Sequence, residues 1–210
     1  MRLVLFDVDG TLTDTMAVDA RCFLRAFVDV CGFTNVDADW SRYTNATDAG
    51  IFHEVFESRV GRAPSAAEAT KFYEHFIGLL RAAAHAEAFA SVRGAPELLS
   101  RLKQSDDCRV VLATGCWAES ARIKMASAGM RYSDYISASA DDAPERETII
   151  RLAAQRAGEQ LHRAVYVGDG VWDANACRRL GIAFIGIGAG AQAERLTAAG
   201  VRMFCLISPT

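Results

Sequence analysis

The chain has 210 residues, of which 51% are hydrophobic and 23% are charged, and its net charge is −3 at pH 7. This ordinary globular composition supports one well-packed domain with room for an insertion. The charges are mixed without a basic tract, no apolar run reaches the about 20 residues that span a bilayer, and the first residues lack the order of a signal peptide. Six cysteines without CxxC spacing are typical of free thiols. We therefore expect a cytoplasmic protein that binds neither nucleic acid nor membranes.

An apolar run at residues 2–8 predicts the first strand, and a long interval separates it from the next apolar run. Three segments of this interval carry apolar residues at helical spacing. Because a single crossover helix needs only about a dozen residues, the interval is too long to be one connection. We predict an α-helical insertion over residues 15–91 and a core domain formed by residues 1–14 and 92–210.

After the insertion, short apolar runs alternate with helical segments. Several of the runs are apolar at successive positions, which is typical of strands covered on both faces. This alternation predicts an α/β fold with a doubly wound, mostly parallel sheet of Rossmann-like topology and right-handed crossovers. The predicted strands are 109–115, 134–139, 164–170, 182–188 and a weaker 201–207, and the predicted helices are 96–104, 118–129 and 144–158.

Polar residues follow the predicted strands at the points where each strand ends. In open α/β sheets, ligands bind at the carboxyl ends of the strands. Burying unpaired carboxylates there costs several kcal/mol. Four aspartates, a threonine and a cation at one sheet edge therefore indicate a functional site. The residues concerned are Asp7, Asp9, Thr114, Gly115, Asp169 and Asp173, together with the segment 141–146.

Asp7 and Asp9 are two positions apart, so on an extended strand they face the same way, about 6.6 Å apart. That gap suits two groups flanking one tetrahedral centre, with one carboxylate attacking while the other moves a proton. Crowded carboxylates repel one another, and a hard divalent cation such as Mg²⁺, which favours oxygen ligands, relieves the repulsion. The pattern predicts covalent catalysis that depends on Mg²⁺.

Three motifs carry a family resemblance: DVDGT at 7–11, LATG at 112–115 and GDGVWD at 168–173. Together they resemble the haloacid dehalogenase superfamily of aspartate-nucleophile phosphotransferases, over essentially the whole chain. The helical insertion is similar to that superfamily's cap, which follows the first motif. The resemblance implies a phosphatase with that superfamily's α/β core, acting on a small phosphorylated metabolite.

The resemblance also implies roles for individual residues. Asp7 looks like the nucleophile that forms an aspartyl-phosphate, and Asp9 like the general acid and base that protonates the leaving alcohol and then activates water. The implied phosphate-binding residues are Thr114, Gly115, Gly10 and Thr11. The implied Mg²⁺ ligands are Asp7, Asp169, Asp173 and Asp9, the last usually through its backbone carbonyl.

The third motif departs from the family pattern. It normally supplies a lysine, often within a KP dipeptide, but residues 139–150 read SADDAPERETII. Arg146 is the nearest cation at a suitable offset and would supply a planar fork in place of a point charge. An exposed arginine in the first turn of a helix is the other interpretation of it. Lys124, on the helix after Thr114, is the runner-up, and a solvated helix face is the alternative for that residue.

Substrate selectivity is expected in the insertion, which can close over the site. The stretch SRYTNATDAGIF at 41–52 resembles a Thr-Asp-containing cap segment of phosphoglycolate phosphatase-like members. Thr47 and Asp48 are therefore candidate substrate-binding residues, with Arg42 and Asn45 beside them, and a phosphoglycolate-like substrate is the expectation. A helix N-cap at Thr47 or Asp48 is an equal alternative.

Other functions stay open beside the phosphatase. A phosphosugar mutase of the same superfamily shares DGTLTDT but usually has a cap histidine where this chain has Asp19. Asp9 argues against a dehalogenase, because a halide leaving group needs no proton donor. A receiver or scaffold phosphorylated on an aspartate is a further alternative, although receivers have adjacent acids and no large insertion. The chain is expected to be a monomer or a homodimer.

Overall fold

The computed structural model describes residues 2–201 and the backbone of residues 204–206. Within them the strands are β1 (Arg2–Phe6), β2 (Cys108–Ala113), β3 (Ile136–Ala138), β4 (Ala164–Gly168), β5 (Ala183–Gly188) and β6 (Phe204–Leu206). They form one sheet in the order β3-β2-β1-β4-β5-β6, and every neighbouring pair is parallel. The predicted parallel α/β sheet is confirmed. Residues 202, 203 and 207 of the weak run predicted at 201–207, like residues 208–210, lie outside the described residues.

The insertion contains three α-helices, namely α1 (Met16–Ala26), α2 (Asp48–Val60) and α3 (Ala66–Ala86). Helix α1 continues into a π-helical turn at Phe27–Cys31, which the sequence periodicity does not distinguish from an ordinary helix. The Asp14 amide donates to the Ala90 carbonyl at 2.9 Å, and the Val92 amide donates to the Leu12 carbonyl at 3.0 Å. The helical segment therefore leaves and re-enters the sheet domain at one place.

The helices that cover the sheet are α4 (Ala95–Lys103), α5 (Ala118–Ser127), α6 (Arg146–Arg156), α7 (Val171–Leu180) and α8 (Ala191–Ala198). Pro96 lies in the first turn of α4, where its missing N–H is not needed. Gly129 and Gly158 follow α5 and α6 with φ of +78° and +69°, the left-handed conformation in which many helices end. No helix within residues 2–201 is long and apolar enough to cross a membrane.

Strand β1 is buried on both faces, because successive side chains of a strand point to opposite sides of the sheet. Leu3 and Leu5 pack in one cluster with Ile149 of α6. Val4 and Phe6 pack in a second cluster with side chains of α4 and α5. The helices on both faces leave the carboxyl edge of the sheet as the place where polar side chains gather.

The insertion has an aromatic core that also includes one residue from the sheet domain. Phe23 packs edge-on against Phe72 and Phe76, with ring centroids 5.3 Å apart in each pair. Trp117, in the loop between β2 and α5, enters this cluster with its ring 5.2 Å from Tyr73 and 5.7 Å from Phe76. Trp117 therefore holds the insertion against the loop that carries the second predicted motif.

Replacing Trp117 with alanine is expected to lower the free energy of unfolding by about 3–5 kcal/mol, because truncating a buried aromatic side chain leaves a cavity. Urea denaturation followed by circular dichroism measures the change. Leu98→Ala is the matched control, since Leu98 is 43% exposed on α4, and a change within about 0.5 kcal/mol is expected for it. Equal stability of the two variants would contradict the packing role of Trp117.

Candidate active site

A cavity of about 50 Å³ lies between the carboxyl edge of the sheet and the helical insertion. From the core it is lined by Asp7, Asp9, Thr114, Gly115, Cys116, Arg146 and Trp172. From the insertion it is lined by Met16, Asp19, Phe23, Trp40, Ala46, Thr47, Asp48 and Ile51. Predicted site residues from distant parts of the chain thus meet at one cavity.

The chain turns sharply after β1. The strand ends at Phe6, and the Leu12 amide returns to donate a hydrogen bond to the Val8 carbonyl at 2.8 Å. Asp7 and Asp9 follow the last residue of the strand, and the Asp7 amide still donates to the Val167 carbonyl of β4 at 3.0 Å. Both side chains line the cavity. The prediction that the two carboxylates face the same way stays a prediction.

Gly10 and Thr11 do not line the cavity but lie in the same turn. Gly10 has a φ of +69°, and a Cβ at this position would come within 2.1 Å of the Asp169 Oδ2 atom. Both constraints require glycine. The Thr11 hydroxyl is buried and has no hydrogen-bond partner among the described residues. Gly10 therefore allows the first motif to approach the fourth strand's acid closely.

Arg146, the first residue of α6, is buried beside two of the predicted acids. Its Nη1 atom lies 3.3 Å from Asp7 Oδ1, and its Nε atom lies 3.2 Å from Asp173 Oδ1. A Cβ on Gly115 would lie 2.5 Å from Arg146 Nη2, so the glycine leaves space for the guanidinium. The alternative of an exposed arginine is wrong, because the side chain is 7% exposed. Arg146 supplies a positive charge at Asp7.

Lys124 supplies a second buried positive charge. Its Nζ atom lies 2.6 Å from Asp9 Oδ2 and 2.5 Å from Asp19 Oδ1. The other oxygen of Asp9 accepts a 2.5 Å hydrogen bond from the Thr15 hydroxyl. Burial alone would lower the pKa of Lys124, but the charges of Asp19 and Asp9 raise it well above its usual range. The solvated-face interpretation of Lys124 is wrong, since the side chain is fully buried.

A group of three carboxylates could hold a metal ion. One oxygen each of Asp7, Asp169 and Asp173 lies within 4.8 Å of the others. Burial raises the pKa of all three carboxyls, that of Asp173 to about 7, and the charge of Asp7 further raises that of Asp169. Asp169 Oδ1 has no hydrogen-bond partner in the described chain. Crowded, buried oxygen ligands with an unused atom fit a hard divalent cation.

The carboxylate of Asp9 is not part of this group, because Lys124 and Thr15 occupy its two oxygens. The predicted contact of its backbone carbonyl with the metal stays a prediction. Thr114 directly follows β2 and is buried, with its hydroxyl 3.1 Å from Cys116 Sγ. Thr114 and Gly115 both line the cavity beside Asp7.

Thr47 and Asp48 join the insertion to the core. The Thr47 hydroxyl accepts from the Gly50 amide at 3.0 Å, so the N-cap interpretation is confirmed, and it donates to the Pro144 carbonyl at 2.7 Å. The Asp48 amide donates to the Gly115 carbonyl at 2.8 Å, and Asp48 Oδ2 accepts from the Trp117 amide at 2.9 Å. Both residues also line the cavity. Thr47 therefore caps α2 while it and Asp48 also line the cavity, and their predicted contact with substrate stays a prediction.

Arg42 and Asn45 are not brought to the cavity. Arg42 is exposed and pairs with Asp37 at 2.8 Å, and Asn45 lies beside the cap of α2 without lining the cavity.

Three residues near the site have no assigned role in the sequence interpretation: Thr15, Asp19 and Gln192. Thr15 is the N-cap residue of α1, and Asp19 lies in its first turn. Gln192 of α8 donates to the carbonyl and to Oδ2 of Asp169. It comes from a remote helix, so no local pattern could have identified it.

A family model described as haloacid dehalogenase-like hydrolase matches residues 1–181. A search of curated proteins finds no match. Among solved structures, a hydrolase from Pseudomonas syringae superposes with a TM-score of 0.78 at 20% identity, covering 97% of this chain and 93% of that one.

Two further solved structures share the fold. A mutant of CbbY from Rhodobacter sphaeroides, in complex with xylulose-1,5-bisphosphate, has a TM-score of 0.76 at 20% identity, covering 98% of this chain and 94% of its own. A protein from Bacteroides vulgatus, provisionally described as a beta-phosphoglucomutase, has a TM-score of 0.72 at 18% identity, with coverages of 97% and 83%.

Replacing Lys124 with methionine is expected to lower the free energy of unfolding by about 3–5 kcal/mol, because it leaves two carboxylates near the cavity without their cation. Chemical denaturation measures the change. Lys103→Met is the control, since the Lys103 side chain is 44% exposed and its Nζ atom makes a longer contact, at 3.5 Å, with Asp134 Oδ2. This control should lower the free energy of unfolding by less than about 1 kcal/mol. Adding Asp19→Asn to Lys124→Met should recover part of the loss. Additive losses in the double variant would contradict the pairing.

Proposed function

Because this chain belongs to the haloacid dehalogenase-like hydrolases, we propose that it hydrolyses a small phosphate monoester through a phosphoryl group carried on Asp7. One observation carries the proposal: the buried carboxylate of Asp7 lies beside a guanidinium and two further acids, while Asp9 lines the same cavity with a different cation. Two carboxylates with separate partners can take separate chemical roles.

In the first half-reaction, a carboxylate oxygen of Asp7 attacks phosphorus. The bond from phosphorus to the ester oxygen breaks, and Asp9 in its protonated form gives its proton to the leaving oxygen, which departs as an alcohol. Arg146 lies where it can neutralise charge on the phosphoryl oxygens next to Asp7. The amide of Gly115 and the hydroxyl of Thr114 are the proposed hydrogen-bond donors to those oxygens.

In the second half-reaction, water attacks the phosphorus of the aspartyl-phosphate. Asp9, now ionised, takes the proton of the water, and the bond between phosphorus and the Asp7 oxygen breaks to release inorganic phosphate and the free carboxylate. Lys124 and Thr15 hold Asp9 through both of its oxygens. This support fixes the direction from which Asp9 can meet either the leaving oxygen or the water.

Mg²⁺ is the proposed cofactor. Asp7, Asp169 and Asp173 would hold it, with the backbone carbonyl of Asp9 as a further predicted ligand. Bound there, the ion would neutralise the charge of the phosphoryl group and of the crowded acids. Gly10, by allowing the close approach to Asp169, keeps this acid next to Asp7. Residues 15–91 would serve as the cap that excludes water from the reaction.

The alternatives receive less support. A mutase that transfers a phosphoryl group between sugar hydroxyls has to hold a second phosphate, and the insertion places Asp19 rather than a basic residue in the cavity wall. A receiver or scaffold would need no enclosed cavity between an insertion and the acids. The predicted phosphoglycolate-like substrate stays a prediction.

Asp7→Asn should lower the rate of phosphate release from p-nitrophenyl phosphate by at least about a thousandfold, because an amide is a poor nucleophile. Released p-nitrophenolate measures the rate in the presence of Mg²⁺. The control is Asp106→Asn, a surface aspartate before β2, which should keep the wild-type rate. Undiminished turnover by Asp7→Asn would exclude the aspartyl-phosphate, and uptake of phosphate without turnover by the wild type would identify a receiver.

Removing divalent cations with a chelator should abolish phosphate release, and Mg²⁺ should restore it. Asp169→Asn should raise the Mg²⁺ concentration needed for half-maximal rate by about tenfold or more. Mg²⁺ should also raise the melting temperature of the wild type more than that of Asp169→Asn, since an ion that binds only the folded state stabilises it. Identical Mg²⁺ titrations of the two proteins would remove Asp169 from the metal site.

A further inference from the structure

The wall that the insertion gives to the cavity is acidic and aromatic. It contains Asp19 and Asp48 beside Phe23 and Trp40, and no lysine or arginine of the insertion lines it within the described chain. We propose that the leaving group carries a protonated amine, so that the substrate is the phosphate monoester of a small amino alcohol. This inference rests on the proposed function and names the substrate class for the same site.

The leaving group must point toward this wall. The phosphoryl group has to lie between Asp7, Arg146 and the Thr114–Gly115 segment, all of which belong to the core side of the cavity. The bond that breaks lies opposite the attacking oxygen, because phosphoryl transfer keeps the attacking and leaving oxygens in line. The cavity continues from the core into the residues of the insertion, so these residues surround whatever is attached to the ester oxygen.

The cations of the site are already engaged with acids. Arg146 is paired with Asp7 and Asp173, and Lys124 is shared by Asp9 and Asp19.

Asp48 lies against the cavity with no ion pair in residues 2–201, and its Oδ2 atom accepts a backbone hydrogen bond from Trp117. Burial and then the nearby charge of Asp19 raise the pKa of Asp48 well above its usual range. A carboxylate or second phosphate on the leaving group would add negative charge here without a free cation. An ammonium group beside them would instead favour the ionised forms of Asp19 and Asp48 and pair with them.

The aromatic residues of the cavity wall also favour a leaving group with a positive charge. Phe23 and Trp40 line the cavity together with the two acids. A cation is attracted to the face of an aromatic ring, most strongly to tryptophan, and the attraction grows when water is excluded. A two- or three-carbon amino alcohol carries the charge that this wall favours.

The test compares three esters of equal carbon number that differ in the charge of one group. They are 2-aminoethyl phosphate, 2-hydroxyethyl phosphate and phosphoglycolate, which carry an ammonium, a hydroxyl and a carboxylate. Each is measured as a substrate by phosphate release and as a competitor of p-nitrophenyl phosphate, at a fixed free Mg²⁺ concentration. We expect kcat/KM to fall in that order, with at least about a tenfold difference between the first and the last, or about 1.4 kcal/mol.

The outcomes separate the two proposals. If phosphoglycolate or 2-hydroxyethyl phosphate is hydrolysed as well as 2-aminoethyl phosphate or better, the amino alcohol assignment is wrong while the phosphatase function stands. The same holds if p-nitrophenyl phosphate is hydrolysed and none of the three esters reacts or competes. If no ester is hydrolysed at all, both proposals are overturned.

A variant links the preference to the cavity wall. Asp48→Asn keeps an oxygen that can accept from the Trp117 amide but removes the charge. It should reduce the ratio of kcat/KM for 2-aminoethyl phosphate over phosphoglycolate by at least about fivefold, or about 1 kcal/mol. A purely structural role would lower all three rates together and leave the ratio unchanged, which would overturn the assignment. Asp106→Asn, an exposed acid that does not line the cavity, should keep the wild-type ratio.

Discussion

The site depends on two buried cations that allow several aspartates to lie close together. Arg146 and Lys124 are nearly or fully removed from solvent, and each contacts two acids. Removing ions from water costs several kcal/mol each, and only close pairing recovers that cost. Six aspartates lie at the site and the two cations contact four of them, so a divalent ion is the simplest way to balance the excess of acids. The acids concerned are Asp7, Asp9, Asp19, Asp48, Asp169 and Asp173.

The same contacts connect the insertion to the core. Lys124 belongs to α5 of the core and Asp19 to α1 of the insertion, and Asp48 is tied to the backbone of Gly115 and Trp117. If the insertion moves to admit substrate, these bonds have to break and form again. Opening would break the pair of Lys124 with Asp19, while Lys124 and Asp9 both belong to the core and can stay paired. Lys124 thus connects Asp9 of the core to Asp19 of the insertion.

Much of this organisation could be predicted from the sequence because it follows from local patterns. Runs of successive apolar residues predict the parallel sheet. The rule that ligands bind at the carboxyl ends of its strands predicts that Asp7, Thr114 and Asp169 lie at one edge, as they do in the structure. The turn after β1 could not be foreseen, because alternation along a strand does not say where the strand stops. The burial of Lys124 could not be predicted either, since its partners are Asp9, in the turn after β1, and Asp19, in the insertion. Long-range pairs of this kind are decided by packing.

Each of the two aspartates in the first motif has its own cation, and the difference between the cations matches the difference between the two proposed roles. Asp7 faces the planar guanidinium of Arg146, whose remaining donors can meet phosphoryl oxygens while the carboxylate attacks. Asp9 faces the compact ammonium of Lys124, which binds one oxygen while Thr15 binds the other. A group that moves protons has to exchange one of these partners for the leaving oxygen or the water. The ammonium has three donors on a flexible stem, so it can stay attached to Asp19 while Asp9 makes that exchange. An arginine in the place of Lys124 would hold Asp9 more rigidly, and a lysine in the place of Arg146 would lose the fork.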